Sequence, residues 1–224
     1  WSGFPPGYGQ LDTVAHCGGS LLGDYMFSVN YTDACTYWVV LQAQWNKGEQ
    51  ATLASLKHIQ ENLPVILQGI HPDTGTEFIN WTLKKWADEE HIEMTRSEPG
   101  KSNDNMYVEE RNGHVVRKYL KYDRYDKQEL LPLVNEYYRL LSFLLNFFVP
   151  VRRTTSKIRV GAKYVRKTES QGKTPYAQML EHETVSLEVK DRLRETYETL
   201  DIFKLKQELA TLKSEIMKIF WSRK

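Results

Sequence analysis

"PVILQGIHPDTGTEF" (Pro64 to Phe78) joins a continuous apolar run to an aspartate, a glycine and the start of a helical pattern. The run is short and bounded by turn-forming residues. It reads as a strand buried on both faces, in a central and parallel position. His71-Pro72 ends it and Asp73 follows. Asp73-Thr74-Gly75 has the composition of a simple turn. A strand end is also where a rigid scaffold presents ligands and catalysts. Choosing between these readings requires partners for Asp73 elsewhere in the chain.

On the N-terminal side, "GQLDTVAH" (Gly9 to His16) is a short strand that contains Asp12. "DYMFSVNYTD" and "TYWVVLQAQ" are rich in aromatic and β-branched residues and meet around Ala34-Cys35, which predicts an antiparallel hairpin. Asn46 then opens a helix on which Leu53, Leu56 and Ile59 recur at helical spacing. On the C-terminal side, Thr76 caps "EFINWTLKKWADEEH", and "IEMTR" makes a short fifth strand. A polar loop, "SEPGKSNDN", leads into "MYVEERNGHVVRKYL", read as a helix from Val108, Val115, Val116 and Leu120 despite Gly113. Asp126 caps a long apolar helix that ends near Pro150. The order predicts an α/β domain with a mixed five-stranded sheet, hairpin first and helical crossovers after.

The expected organisation is a catalytic core over residues 1–124, completed by the long apolar helix over 125–150. A basic linker over 151–170 and a helical C-terminal region over 171–224 follow. From Ser186 the chain reads as helix with a break near Asp201. Leu205, Leu209, Leu212, Ile216 and Ile219 then form a heptad seam that fits either packing on its own domain or a contact between copies.

With 224 residues, 41% hydrophobic and 26% charged, the chain is long enough for one sizeable domain and an appendage. The longest apolar run, Leu140 to Val149, is too short to cross a bilayer, so no membrane partner is expected. No basic-then-apolar leader opens it, and its first residue is Trp1, which suggests a piece of a longer protein. Cys17 and Cys35 have neither zinc-site nor disulfide-framework spacing and are expected reduced, in the cytoplasm. The net charge of +1 hides a division: residues 1–100 carry 5 basic against 12 acidic side chains, and residues 101–170 carry 15 against 8. An acidic half suits a site that gathers cations, and a basic one suits phosphates.

Three acids stand at distinct places: Asp12 in the first strand, Asp73 after the fourth, and Glu109 on the helix after the polar loop. If the first and fourth strands are neighbours, the aspartates share one end of the sheet, and a helix crossing it adds Glu109. Such a set is oxygen-only, which suits Mg²⁺ or Mn²⁺ and not zinc. Acids this close repel one another, and a cation resolves the repulsion. Glu110 lies roughly 100° further round the helix, so it and Glu109 do not face one ion equally. Asp33 reads as a turn residue and Glu77 as a helix-dipole partner. His16 and His71 lie near the acids in sequence, either as proton carriers or as satisfied structural histidines.

"LDTVAH", "HPDTGTEF" and "NDNMYVEERNG" resemble the three acidic motifs of the retroviral-integrase-like DDE transposases of bacterial insertion sequences. The 35 residues between Asp73 and Glu109 match that superfamily's spacing, and the E-x-x-N pattern with Asn112 favours Glu109 over Glu110. "TRSEPGKSNDN", "VVRKYLKYDRYD", "LNFFVP" and "TPYAQML" extend the likeness from about residue 8 to residue 205. Thr74 departs from it, because the family usually has Asn there. The resemblance implies an RNase H-like fold, with Asp12, Asp73 and Glu109 as catalytic and metal-holding residues. It implies two Mg²⁺ or Mn²⁺ ions, DNA as substrate and target, and homo-multimers on bacterial DNA. The activity it implies is DNA cleavage at element ends and strand transfer of the freed 3′-hydroxyl. A nuclease without a joining step, or a silent DNA-binding descendant, are the alternatives. Candidate DNA contacts are Lys101, Ser102, Asn103, Asn105, Asn112, Arg117 and Lys118 around Glu109. A second group, Arg152, Arg153, Lys157, Arg159 and Lys163, lies in "VRRTTSKIRVGAKYVRK", which has seven basic residues and no acid in 17.

Overall fold

β1 (Tyr8–Ala15) is the strand on which the sheet is assembled. β2 (Met26–Asp33) lies antiparallel to it and β3 (Val39–Trp45) antiparallel to β2. β4 (Gly69–Pro72) and β5 (Glu93–Met94) are added in parallel on the other side, giving the order β3-β2-β1-β4-β5. The crossovers carry α1 (Glu49–Asn62) and α2 (Trp81–Glu89), as parallel neighbours require. The computed structural model describes residues 3–72, 80–95, 112–152, 154–160 and 163–222, with the side chains of 112–114, 154–157, 159, 160, 163, 164, 166 and 167 left aside.

Strand alternation divides the core into two layers. Val14, Met26, Val39, Leu41 and Ala43 lie on one face. There they pack against Val115 and Val116 of a π-helical segment (Asn112–Arg117), which runs into the short α3 (Lys118–Leu120). α4 (Leu131–Phe143) and the later α7 (Ile202–Trp221) complete that layer. Leu11, Val29, Tyr31 and Val40 lie on the other face, against α1, α2, α5 (Pro175–Glu181) and α6 (Leu187–Thr199). Gly9 is where Tyr31 crosses β1: a Cβ there would sit 2.3 Å from the tyrosine ring.

An open edge at β3 would expose unpaired backbone. Two asparagines close it. Asn146 accepts from the Val39 amide at 2.9 Å and donates to its carbonyl at 2.8 Å. Asn135 does the same for Ala43, at 2.7 and 3.2 Å. Asn146 is buried, so Asn146→Ala strands a buried amide and carbonyl. It is expected to cost about 2–3 kcal/mol in urea unfolding, against a smaller loss for the half-buried Asn135.

Several elements differ from the sequence reading. The fourth strand begins only at Gly69, because Pro64 has no amide to donate and the amides of Gln68 and Gly69 both turn onto the Gly7 carbonyl. α1 starts at Glu49, three residues after Asn46. Asn46 adopts φ 58°, outside helical space, and its side chain accepts from the Gly48 amide. Asp126 does not cap the long helix: it accepts from Arg124 at 3.2 Å, and the helix opens with a 3-10 turn at Gln128–Leu130. The stretch expected as a basic linker contains an antiparallel hairpin, β6 (Thr154–Val160) and β7 (Lys163–Thr168). Its threonines, valines and Ile158 favour that pleated geometry.

The break near Asp201 is present, with Asp201 capping α7 and Ser186 capping α6. The heptad seam does not face another copy. Leu205, Leu209 and Ile216 are buried against α4 and its neighbours in the same chain, with Leu212 and Ile219 beside them. Among the described residues, no helix is long and apolar enough to cross a membrane.

Candidate active site

The parallel register decides where the acids can meet. Tyr8 pairs with Gly69 and each following residue steps along together, ending at Leu11 opposite Pro72. Asp12 follows Leu11 as Asp73 follows Pro72. Asp12 shares its face of β1 with Gln10 and Val14, by the alternation of the strand. That is the face on which Val115 and Val116 pack, and the segment Asn112–Arg117 lies across β1 and β2. Glu109 precedes this segment by three residues.

Asp12 is half-buried, opposite Asn30, and its Oδ1 accepts from the Thr13 amide at 2.7 Å. Asp73 and Glu109 lie outside the described residues, as do Lys101, Ser102, Asn103, Asn105 and Arg153. Arg117 stacks on the Tyr122 ring at 4.3 Å, and Lys118 is exposed beside Tyr119. Arg152 is exposed, while Asn112 begins the π-helical segment. Lys157, Arg159 and Lys163 lie on the hairpin, where Lys157 pairs with Arg166, Arg159 with Tyr164 and Lys163 with Val160. Among the described residues no three His, Cys, Asp or Glu side chains form a metal cluster.

The two histidines near the acids in sequence are both buried and hydrogen-bonded. His71 is buried and its Nδ1 is 2.7 Å from Thr95 Oγ1. His16 is buried, with Nε2 2.7 Å from Ser28 Oγ, which is in turn bonded to Tyr138 Oη. Burial, aided by the positive charges of Arg117 and Lys213, lowers the His16 pKa to about 4. It is therefore neutral at pH 7. Because the folded value lies below the unfolded 6.5, the unfolded chain binds the extra proton, and stability falls as pH drops from 6.5 towards 4. Between pH 7 and pH 5 the loss from this group is expected to be about 2 kcal/mol. Urea unfolding of His16→Gln should lack that part of the pH slope.

Asp33 is occupied by the turn it closes. Its carboxylate is wholly buried and accepts from the amides of Gly7, Cys35 and Thr36 and from the Thr36 hydroxyl, at 2.7 to 3.1 Å. Burial pushes its pKa up and those donors pull it back. The reading of Asp33 as a turn residue holds.

The sequence reading passed over Lys121, Tyr122 and Arg124. The interleaving of cations and tyrosines in "RKYLKYDRY" (Arg117 to Tyr125) is the signal that marks them.

No protein-family model matches the chain. It is 29% identical over 167 residues to an uncharacterized protein, y4rM, of Sinorhizobium fredii (strain NBRC 101917 / NGR234). That match covers 75% of this chain and 48% of the relative, so the chain spans about half the length of the curated relative it matches. Among solved structures, a chain of the simian T-cell lymphotropic virus intasome in complex with the PP2A regulatory subunit B56 gamma superposes with a TM-score of 0.52 at 18% identity. It covers 66% of this chain and 50% of the viral one. The fold is RNase H-like. The catalytic core domain of BIV integrase is more distant, with a TM-score of 0.49 at 14% identity over 76% of this chain and 91% of that one.

Proposed function

We propose that this chain is the catalytic core of a DDE-type transposase or integrase, which cuts DNA at the ends of an element and joins the freed 3′-hydroxyl to a target. The observation that supports it most is the register of β1 against β4. It ends with Leu11 opposite Pro72, one residue before Asp12 on one strand and one residue before Asp73 on the other, and the segment Asn112–Arg117, three residues after Glu109 in sequence, lies against β1 and β2. The simple-turn reading of Asp73-Thr74-Gly75 explains the Asp and the Gly but not the places of Asp12 and Glu109 in the sequence.

The donor set fits a hard divalent cation, because Asp12, Asp73 and Glu109 offer only carboxylate oxygen. In this reading Asp12, Asp73 and Glu109 are the residues that would hold the metal. Divalent ions held there would supply stabilisation of the attacking and leaving oxygens of an in-line displacement. The Thr13 amide fixes one oxygen of Asp12 and so limits the carboxylate's rotation. His16 stays neutral and bonded to Ser28, so proton movement falls to water and not to this imidazole. Water as nucleophile gives cleavage, and the 3′-hydroxyl gives joining. The cations beside Glu109 and on the β6–β7 hairpin hold phosphates, which sets affinity and its salt dependence but little sequence choice. Two element ends must be held together, so the active form is a homo-multimer, assembled through surfaces other than the buried seam of α7.

Crystals soaked in Mn²⁺ test the site without knowledge of the DNA ends. Manganese density between Asp12, Asp73 and Glu109 is the expected result. Three carboxylates too far apart to share an ion would overturn the reading.

A further inference from the structure

β1 continues past Asp12 into a loop, Cys17 to Tyr25, whose backbone is gathered around one guanidinium. Arg124 donates from Nη1 to the carbonyls of Cys17 (3.2 Å) and Ser20 (2.6 Å). From Nη2 it donates to Leu22 (2.6 Å) and Asp24 (3.5 Å), while Nε binds Asp126. The same guanidinium lies over the Tyr25 ring at 5.2 Å, and Cys17 forms a β-bridge with Arg124. A loop held this way is preorganised. At its tip stand Leu21 and Leu22, 77% and 82% exposed. A rigid loop that presents two adjacent leucines to water has a partner to meet.

The surroundings say which kind. Arg117, Lys118 and Lys121 lie along the neighbouring segment, Lys213 of α7 donates to the Tyr119 carbonyl at 2.6 Å, and Tyr122 is 70% exposed beneath Arg117. Arg117 and Lys213 are close enough to lower the pKa of His16, and Lys121 that of Lys213. Asp24 and Asp123 are the acids nearby, and Asp126 is paired with Arg124. Cations with an exposed aromatic between them fit a nucleic acid. Cys17 is five residues beyond Asp12 along the chain, which at 3.3 Å per residue is roughly 17 Å, about half a turn of duplex.

We propose that Leu21 and Leu22 form an apolar wedge that inserts against a base step of the DNA lying across Asp12, with Arg124 as the residue that positions it. This rests on DNA being the substrate. Leucines of this kind unstack a step and bend the duplex, and the adjacent cations hold its phosphates meanwhile. The wedge fixes which stretch of the DNA stays stacked near the carboxylates.

The test uses the whole chain, no divalent ion, and a blunt duplex of arbitrary sequence carrying 2-aminopurine at successive positions. Wild-type protein should raise the fluorescence several-fold at one or two adjacent positions. Leu21→Ser/Leu22→Ser should lose most of that rise while keeping most of its low-salt affinity. Arg124→Gln should lose it too, because the loop is released. No rise with wild type, or an equal rise with the double variant, overturns the proposal. So does self-association that disappears with the two leucines while the fluorescence rise persists, since the loop then serves a second copy. Asp12→Asn should keep the rise. Loss of the joining reading alone therefore leaves the wedge standing, and loss of the wedge leaves the carboxylate site untouched.

Discussion

Asp12→Asn is expected to abolish both cutting and joining of DNA in Mg²⁺ while the protein folds normally. Asparagine has the same shape, and its side-chain oxygen can still accept from the Thr13 amide, so that contact is kept. It loses the negative charge with which Asp12 would hold a cation. Outer partners of metal ligands cost about 10–100-fold when removed, and a carboxylate that itself would hold the ion should exceed that range. Asp73→Asn and Glu109→Gln should do the same, and the three losses should not add, because the residues act as one unit. The check is a joining assay on duplexes that carry the termini of the DNA segment encoding this chain, run beside urea unfolding and salt-dependent DNA binding. Unchanged binding and unfolding with no product is the expected pattern. Joined product from any of the three variants would end the assignment. Nicked but unjoined product from the wild type would favour the nuclease without a joining step.

What could be read in the sequence was whatever is encoded locally. β2 and β3 are rich in aromatic and β-branched residues, and both formed where read. Ser186 and Asp201 are helix caps whose side chains bond amides two or three residues on, so the C-terminal helices broke where expected. Asp12 fell inside its predicted strand, with the parallel neighbour on the expected side. What could not be read depends on groups far apart in the chain. Asn135 and Asn146 look like ordinary polar positions of a helix until β3, some hundred residues earlier, supplies the backbone they bind. Arg124 looks like one more surface cation until the loop from Cys17 folds over it. The α7 seam has the same 4-3 spacing whether it meets a second copy or α4, and only the fold decides in favour of α4. The fourth strand was overextended for a related reason: apolar content marks burial, while the Gly7 carbonyl marks where pairing starts.

Asp33→Ala should be the most damaging single change to stability, far from the proposed chemistry. The carboxylate is a knot that ties the start of β1 to the β2–β3 turn. One oxygen accepts from Gly7, whose φ of 106° aims its amide inward, and the other accepts from Cys35, from the Thr36 amide and from the Thr36 hydroxyl. Alanine leaves those donors without an acceptor at a buried position. At about 1–3 kcal/mol for each stranded group, the sum rivals the 5–15 kcal/mol that holds a whole domain together. Asp33→Ala is therefore expected to be largely unfolded at 25 °C. Asp33→Asn separates the hydrogen bonds from the charge. Its oxygen can still serve Cys35 and Thr36, but its amide then faces the Gly7 amide, donor against donor. An intermediate loss of about 1–3 kcal/mol should follow in urea unfolding, with the fold intact. If alanine were as well tolerated as asparagine, the knot would contribute nothing. The turn from Asp33 to Tyr37, which closes with the Tyr37 amide on the Asp33 carbonyl, would then have to stand by its backbone alone.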